Sequence, residues 1–498
     1  MRFPFSFVRA LAGLLLCGAV LALTGCDSSG ANQDQTPQDE NQPPTAEASV
    51  SSTTVDVGKQ VTLDGSGSSD PDGDDLTFSW SLDVPSGSNA SLSDASAEQP
   101  TFTPDVEGDY TATLEVSDGD ATDSDDATAT AQSLTTEISS NITSDRTLTS
   151  DTTYVVTTTV DVRNQSTLTI EPGTQVRFSS NEGLKIVSGS ALVAEGTSDD
   201  PITMTATAGN EQQGWWKGVA IFSNNANNAF DYVEIRHAGS GTIGTSIDEA
   251  ANIALDNAQL TLSNSTVTDG GGYGLYIQGS QGAGSLEGFS ANSFADNANG
   301  PLWIPFESIG AMDANSSFAD GTSVRIYGAR LNSDATVTAL SGDTPYRFTS
   351  GFNRPEVGDA TLTINPGVEM TFESDVGFGV LSGSALVAEG TSDDPITMTA
   401  TAGNEQQGWW KGVAIFSNNA NNTLDHVEIR HAGSGTVGTS IDEAANIGLD
   451  GDTQLTLNNA TITDSGNHGV YCQASSSALS ASGNSYNNNA GQDVANCQ

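Results

Sequence analysis

The residues best suited to chemistry come in two sets with a constant offset of 194: Trp215-Trp216-Lys217 returns as Trp409-Trp410-Lys411, and Glu234, Arg236 and His237 return as Glu428, Arg430 and His431. Adjacent residues on a strand point to opposite faces, so one tryptophan of each pair is expected inside and its neighbour outside. An exposed tryptophan in each repeat, on the same side of a rod, would make two stacking platforms for sugar rings from Trp215, Trp216, Trp409 and Trp410. The competing reading makes each pair a corner that covers the turn after the loop 209–214. In Val233-Glu234-Ile235-Arg236-His237 a period of two sends Val233 and Ile235 inward. Glu234 and Arg236 then form a surface ion pair worth at most about 1 kcal/mol. A catalytic role for them requires a base and a charge stabiliser in a cleft.

Two further groups of acids invite the same comparison. Ser246-Ile247-Asp248-Glu249 and its copy Ser440-Ile441-Asp442-Glu443 offer paired carboxylates, but Ser followed three residues later by Glu is also the capping box that starts a short helix, here into Ala250 and Ala251. Asp70, Asp72 and Asp74 alternate through one turn, with Asp118 and Asp120 on another. Clustered carboxylates suit calcium, which takes several oxygens at about 2.3–2.6 Å. Asp, Pro and Gly also make such turns with no ion present. Calcium is the one cofactor this sequence suggests.

The elements that must position these residues are short strands. The chain has 498 residues, 53 of them glycine, and 6% aromatic residues. It carries 15 Lys plus Arg against 63 Asp plus Glu, a formal charge of -48. Such a surface repels nucleic acid and anionic headgroups. The acidity, with only four of the fifteen cations being lysine, points to a high-salt habitat, where molar salt shortens the Debye length to about 3 Å.

Arg2 and Arg9 precede an apolar run from Ala10 to Leu23 that is too short for an ordinary spanning helix. It ends in Leu23-Thr24-Gly25-Cys26, which resembles a bacterial lipobox. That resemblance implies an exported protein whose lipid-modified Cys26 tethers it to a membrane, at the outer membrane or cell surface. Asp27 resembles an inner-membrane retention signal of some bacteria. Residues 27–42 are too polar to offset the entropy of ordering and read as a disordered tether. In an oxidising compartment Cys472 and Cys497 would close a loop of about 25 residues, contributing about 3 kcal/mol on the chain-entropy estimate.

From 43 to 132 the pattern is that of a β-sandwich. The runs VTLDGSGSSDPDGDDLTFSW and GDYTATLEVSDG resemble a PKD domain, an immunoglobulin-like module in which Trp80 is a core residue. Beyond it the stretch Ser188–Asn228 recurs letter for letter as Ser382–Asn422. Around each copy lie two or three short strands per roughly 20–25 residues, as solenoids require. LTIEPGTQVRF, SALVAEGTSDDPITMTA and GWWKGVAIF resemble right-handed parallel β-helix repeats of exported bacterial proteins. The halves are expected at 133–325 and 326–498, with two packed sandwiches as the alternative.

The fold class expected is therefore all-β, a small sandwich followed by a β-helix. The function expected is non-catalytic binding or adhesion to a polysaccharide or another envelope component, through repeated weak sites on a rigid rod. The alternative is a polysaccharide lyase or glycoside hydrolase. β-Helix lyases commonly use a basic residue with further cations, which are scarce here, and glycosidases use two or three acids, which are abundant.

Overall fold

The computed structural model describes residues 40–278, 285–328, 330–349, 355–438 and 440–497. Cys26 and nearly all of the tether lie outside these residues. At the tether's end the chain is held: Asn41 Nδ2 donates to Asp118 (3.0 Å), and Gln42 donates from its backbone N–H and its Nε2 to Asp72 (both 2.7 Å). No helix among the described residues is long and apolar enough to cross a membrane.

Residues 49–132 form two facing antiparallel layers of three and four strands, to which Thr54–Asp56 adds one parallel pairing. Alternation puts Tyr110, Ala112, Leu114 and Val116 of Gly108–Ser117 inside, against Val61, Leu63, Phe102 and Trp80. Trp80 is 4% exposed, and its Nε1 donates to the carbonyl of Ala97. Asp70 Oδ1 accepts the N–H groups of Asp72 and Asp74, while Asp72 faces Gln42. Asp70 Oδ2 is buried without a partner. These carboxylates do not converge on a common point, and among the described residues no group of three or more acids, histidines or cysteines is arranged to hold a metal. Asp70 thus spends one carboxylate oxygen within the turn, and Asp72 spends both of its oxygens on Gln42.

From Leu134 onward every strand pairing among the described residues is parallel, and each strand pairs with one a coil away. A coil alone cannot bury its inward row, so each depends on its neighbours. The interior is a continuous column of Leu, Ile, Val and Phe, with aromatic stacking from Phe348 to Phe372 (4.9 Å between centroids) and from Phe372 to Trp410 (4.1 Å).

Five sheets form the walls, and their order exposes what the repeat hides. Sheet A has 13 strands and runs nearly the whole length; sheet B has 8 strands and sheet C has 6, both in the first half, and sheets D (7 strands) and E (6 strands) replace them in the second. The first copy visits B, A and C in turn: Gln175–Phe178, Gly183–Ile186 and Ala191–Glu195. Their counterparts Glu369–Phe372, Gly377–Val380 and Ala385–Glu389 lie in A, D and E. The second copy is therefore turned by one face about the rod. The chain reaches sheet A seven times between Gln175–Phe178 and Glu369–Phe372, which then joins it as well, so the duplication does not span a whole number of coils. The junction does this with a 3₁₀ turn at Phe306–Ala311, followed by the last strand of B (Ser317–Phe318) and the first strands of D (Arg330–Leu331) and E (Ala335–Val337).

At the far end Cys472 is disulfide-bonded to Cys497 across a separation of 25 residues. Cys472 is 1% exposed, and the last strand of sheet E, Ala478–Ser482, is mostly exposed, so the bridge holds the final coil. Reduction is expected to fray residues from about 478 onward, with about 3 kcal/mol lost locally and upstream coils unaffected. Hydrogen exchange with and without reductant checks this.

Candidate functional site

Alternation along sheet A stacks outward side chains into a row, one per coil. The register connects Ala254, Tyr276, Trp303, Arg325 and Arg347, then Thr371 and Thr399. Arg430 continues it, since Thr397 faces Glu428 and Met398 faces Ile429. At about 4.8 Å per coil, the span from Trp303 to Arg430 is roughly 24 Å. Aromatic rings occupy the first part, where the half-buried Trp303 rests on three buried tyrosines: Tyr276 lies 6.3 Å and Tyr327 5.9 Å from Trp303 between centroids, and Tyr273 lies 5.6 Å from it. Three guanidinium groups follow, in a chain that has only 15 cations in all.

Arg347 to Arg430 frames a cleft of about 370 Å³ on this face, lined also by Glu369, Thr371, Thr397, Thr399, Glu405 and His431. Arg347 pairs with Glu373 (2.8 Å) and Arg430 with Glu428. Arg325 donates to the Tyr273 hydroxyl (3.0 Å) and sits over that ring, with no described carboxylate in an ion pair. His431 Nδ1 shares a hydrogen bond with Thr399 Oγ1 (2.8 Å), and its Nε2 lies 3.9 Å from Asp464. Burial holds His431 below the ordinary imidazole range, against the Asp464 charge that raises it, so the ring is neutral at pH 7. Burial pushes the Glu369 carboxyl up, reinforced by Asp343. The backbone N–H groups of Gly403 and of Glu405 itself hold the Glu405 carboxylate down.

The paired tryptophans build this corner from beneath. Trp410 is fully buried, stacked on Phe372, and its Nε1 donates to the carbonyl of Arg430 (2.8 Å). The Trp409 backbone N–H donates to the carbonyl of His431 (2.8 Å), and its Nε1 donates to Phe372. His431 has φ 62°, a left-handed conformation that a non-glycine residue adopts only when its surroundings hold it. The first copy repeats all of this: Trp216 is fully buried on Phe178 and donates to Arg236, and His237 has φ 64°. Gly218 and Gly412 follow each Trp-Trp-Lys with φ near +108° and +107°, and a Cβ at either would collide with a carbonyl of the next coil.

The stacking-platform expectation is corrected on two counts. Trp216 and Trp410 have no exposed surface, and Trp215 and Trp409 are half-buried against the core with their indole N–H groups engaged. The two copies also lie on different sheets, so the pairs are not aligned on one side. The expected short helices are absent as well: Ser246 bonds Asp256, Ile247 and Ile441 are buried, and Ala251–Asp256 and Ala445–Leu449 are strands. Asp248 and Asp442 each bond a glutamine of the next coil, Gln278 and Gln473. The Glu–Arg pairs sit where the period of two puts them, Glu234 and Arg236 at 2.8 Å, with Val233 and Ile235 fully buried.

Sequence reasoning missed Trp303, Arg325, Arg347 and Glu369, which the register unites with Arg430 and His431. The available signal was Arg325 in Val-Arg-Ile-Tyr and Arg347 in Tyr-Arg-Phe, each cation flanked by inward apolar residues.

Comparison with known proteins agrees with this architecture. A family model for a PKD domain matches residues 49–131, and that of the pectate-lyase-like β-helix domain matches 140–269. Among curated proteins none matches the chain. A solved structure, a nucleoside hydrolase-related hypothetical protein from Saccharophagus degradans described as associated with carbohydrate metabolism, is 30% identical over 18% of this chain, with a TM-score of 0.17. This chain covers 26% of that one. The protein thus carries a PKD-like domain at 49–131 followed by a pectate-lyase-like β-helix domain at 140–269, whose coils continue in the structure to the C-terminal disulfide.

Proposed function

We propose that the protein binds an acidic polysaccharide along sheet A without cleaving it, as a component held at the cell envelope through Cys26. The observation that carries this reading is the outward row itself: the half-buried ring of Trp303, then Arg325, Arg347 and Arg430 at intervals set by the coils. Aromatic faces take sugar rings, and a guanidinium takes a carboxylate through two parallel hydrogen bonds. The ion pairs that Arg347 and Arg430 already make lie at the surface with side chains about a quarter to two-fifths exposed, so each is worth about 1 kcal/mol and a ligand carboxylate can compete with the internal one.

Protonation sharpens the expectation. Glu369 has a raised carboxyl, so the folded protein binds its proton more readily than the unfolded chain does. Its contribution to stability is complete below the ordinary glutamate value and is lost as pH rises through the folded value. Ionised Glu369 also repels an acidic ligand. Lowering pH through this window is expected to tighten binding, and Glu369→Gln at neutral pH is expected to gain about tenfold, the scale of one like charge at roughly 10 Å and an effective dielectric of about 20. Calorimetric titration against pH checks both statements.

One observation favours an enzymatic second reading: Glu369 pushed up and Glu405 held down line one cleft, the pattern of an acid and a charged partner. The deciding experiment follows retention on an immobilised polyuronate and on a neutral glucan, while assaying new reducing and unsaturated chain ends. Retention on the polyuronate without new ends supports binding. New ends that disappear in Glu369→Gln overturn it in favour of catalysis.

A further inference from the structure

The part of the rod that carries the first copy holds a related cluster on a different wall. On sheet B the outward row runs Val155, Arg177 and Thr205. Arg236 follows in register, because Thr203 faces Glu234 and Met204 faces Ile235. His237 Nδ1 shares a hydrogen bond with Thr205 Oγ1 (2.8 Å), as His431 does with Thr399. On sheet A the order is Arg347, Thr371, Thr399, Arg430. The position of Arg177 is threonine in the second copy, and the position of Val155, one coil earlier, is arginine. The first cluster therefore holds two guanidinium groups about 10 Å apart and one histidine; the second holds Arg347 and Arg430 about 14 Å apart and one histidine, with Arg325 one coil beyond Arg347.

Arg236 and His237 recur as Arg430 and His431 through the duplication itself, whereas Arg177 and Arg347 occupy different coils of the repeat. In a chain with 63 acids and only 15 cations, two guanidinium groups gathered on one wall make this patch unusual in sign. Arg236 is 42% exposed and Arg177 half-buried, so both reach solvent. Glu211 rims this cluster as Glu405 rims the other, within the fields of Arg177 and His237.

We infer that Arg177, Arg236 and His237 form a second acidic-polysaccharide site, and that the one-face turn between the copies makes the protein a bridge between two polymer chains. The inference rests on the binding reading given above. A straight polymer lying along sheet A cannot reach sheet B, because the two face different directions and the clusters are about 35 Å apart along the rod at about 4.8 Å per coil. Two sites on one face would raise avidity for one chain; two sites on different faces join two chains.

The test uses the full chain and a uronic-acid hexamer, too short to span both clusters. Calorimetry is expected to give two hexamers per protein, falling to one in Arg177→Ala/Arg236→Ala and to one in Arg347→Ala/Arg430→Ala. Beads coated with long polyuronate are expected to clump with the wild type and with neither double variant. Arg177→Gln alone, a milder change, is expected to weaken the sheet B site at least fivefold and leave the other unchanged, with the melting temperature as a control for folding. One hexamer per protein, lost only in Arg347→Ala/Arg430→Ala, overturns the bridge and leaves the binding reading intact. No binding by the wild type overturns that reading, and the bridge with it.

Discussion

Replacing Arg347 and Arg430 together by alanine is expected to weaken binding of an acidic oligosaccharide at the sheet A groove by about a thousandfold. A hydrogen bond to a charged group contributes about 1.5–3 kcal/mol net, and two arginines at about 2 kcal/mol each give that factor. Each single variant is expected to lose about thirtyfold. The substitutions also remove the Arg347–Glu373 and Arg430–Glu428 ion pairs, which leaves two carboxylates beside the ligand less compensated. Lysine at either position keeps the charge but loses the planar fork, so Arg347→Lys is expected to recover only part of the loss. The wild-type affinity is expected to fall with added salt, as exposed charge pairing does. Calorimetric titration of the wild type and these variants at two ionic strengths checks each statement.

Trp410→Ala is expected to be the most damaging single change, costing about 3–5 kcal/mol of stability. The indole is fully buried, stacks on Phe372 at 4.1 Å, and donates to the backbone of Arg430 at 2.8 Å. Its loss leaves a cavity beneath the groove and an unpaired carbonyl at the residue that must hold the ligand. Trp410→Phe restores most of the packing but not the hydrogen bond, so it is expected to recover stability more fully than affinity. Trp409→Ala, by contrast, removes a half-buried ring outside the cleft and is expected to change affinity by less than threefold. A stacking platform would behave the opposite way, with Trp409 essential to binding. Trp216→Ala is expected to match Trp410→Ala in stability while sparing the sheet A site, since its ring lies under Arg236. Chemical denaturation paired with titration separates the two effects.

The sandwich and the coils were legible because alternation decides burial on each strand directly. Val61, Leu63, Trp80 and Tyr110 are buried as the period of two requires, and so are Val233 and Ile235. The groove was not legible, because its members are separated by about a coil of chain each and meet only through register. Arg325 and Arg347 fall together because Ile326 pairs with Phe348, a fact no local pattern contains. The letter-for-letter repeat misled in one respect. Identity over Ser188–Asn228 and Ser382–Asn422 suggests two equivalent sites on one side, yet the irregular junction around Phe306–Ala311 returns the chain to the wall one face early. The Trp-Trp pair misled for a related reason. Alternation distinguishes inside from outside on a straight strand, whereas both tryptophans precede Gly218–Ile221 and Gly412–Ile415 on a corner whose backbone folds them both against the core. Likewise Ser246 satisfies the sequence rule for a helix start, but its hydroxyl is taken by Asp256 and the following residues pair into sheet A.

The most direct test of the central claim is a crystal structure of the protein with a uronic-acid hexamer. The oligosaccharide is expected to lie parallel to the rod axis on sheet A, with a ring against Trp303 and carboxylates on Arg325, Arg347 and Arg430. A hexamer bound across the strands or elsewhere on the solenoid, with those arginines still paired to their own acids, would contradict it.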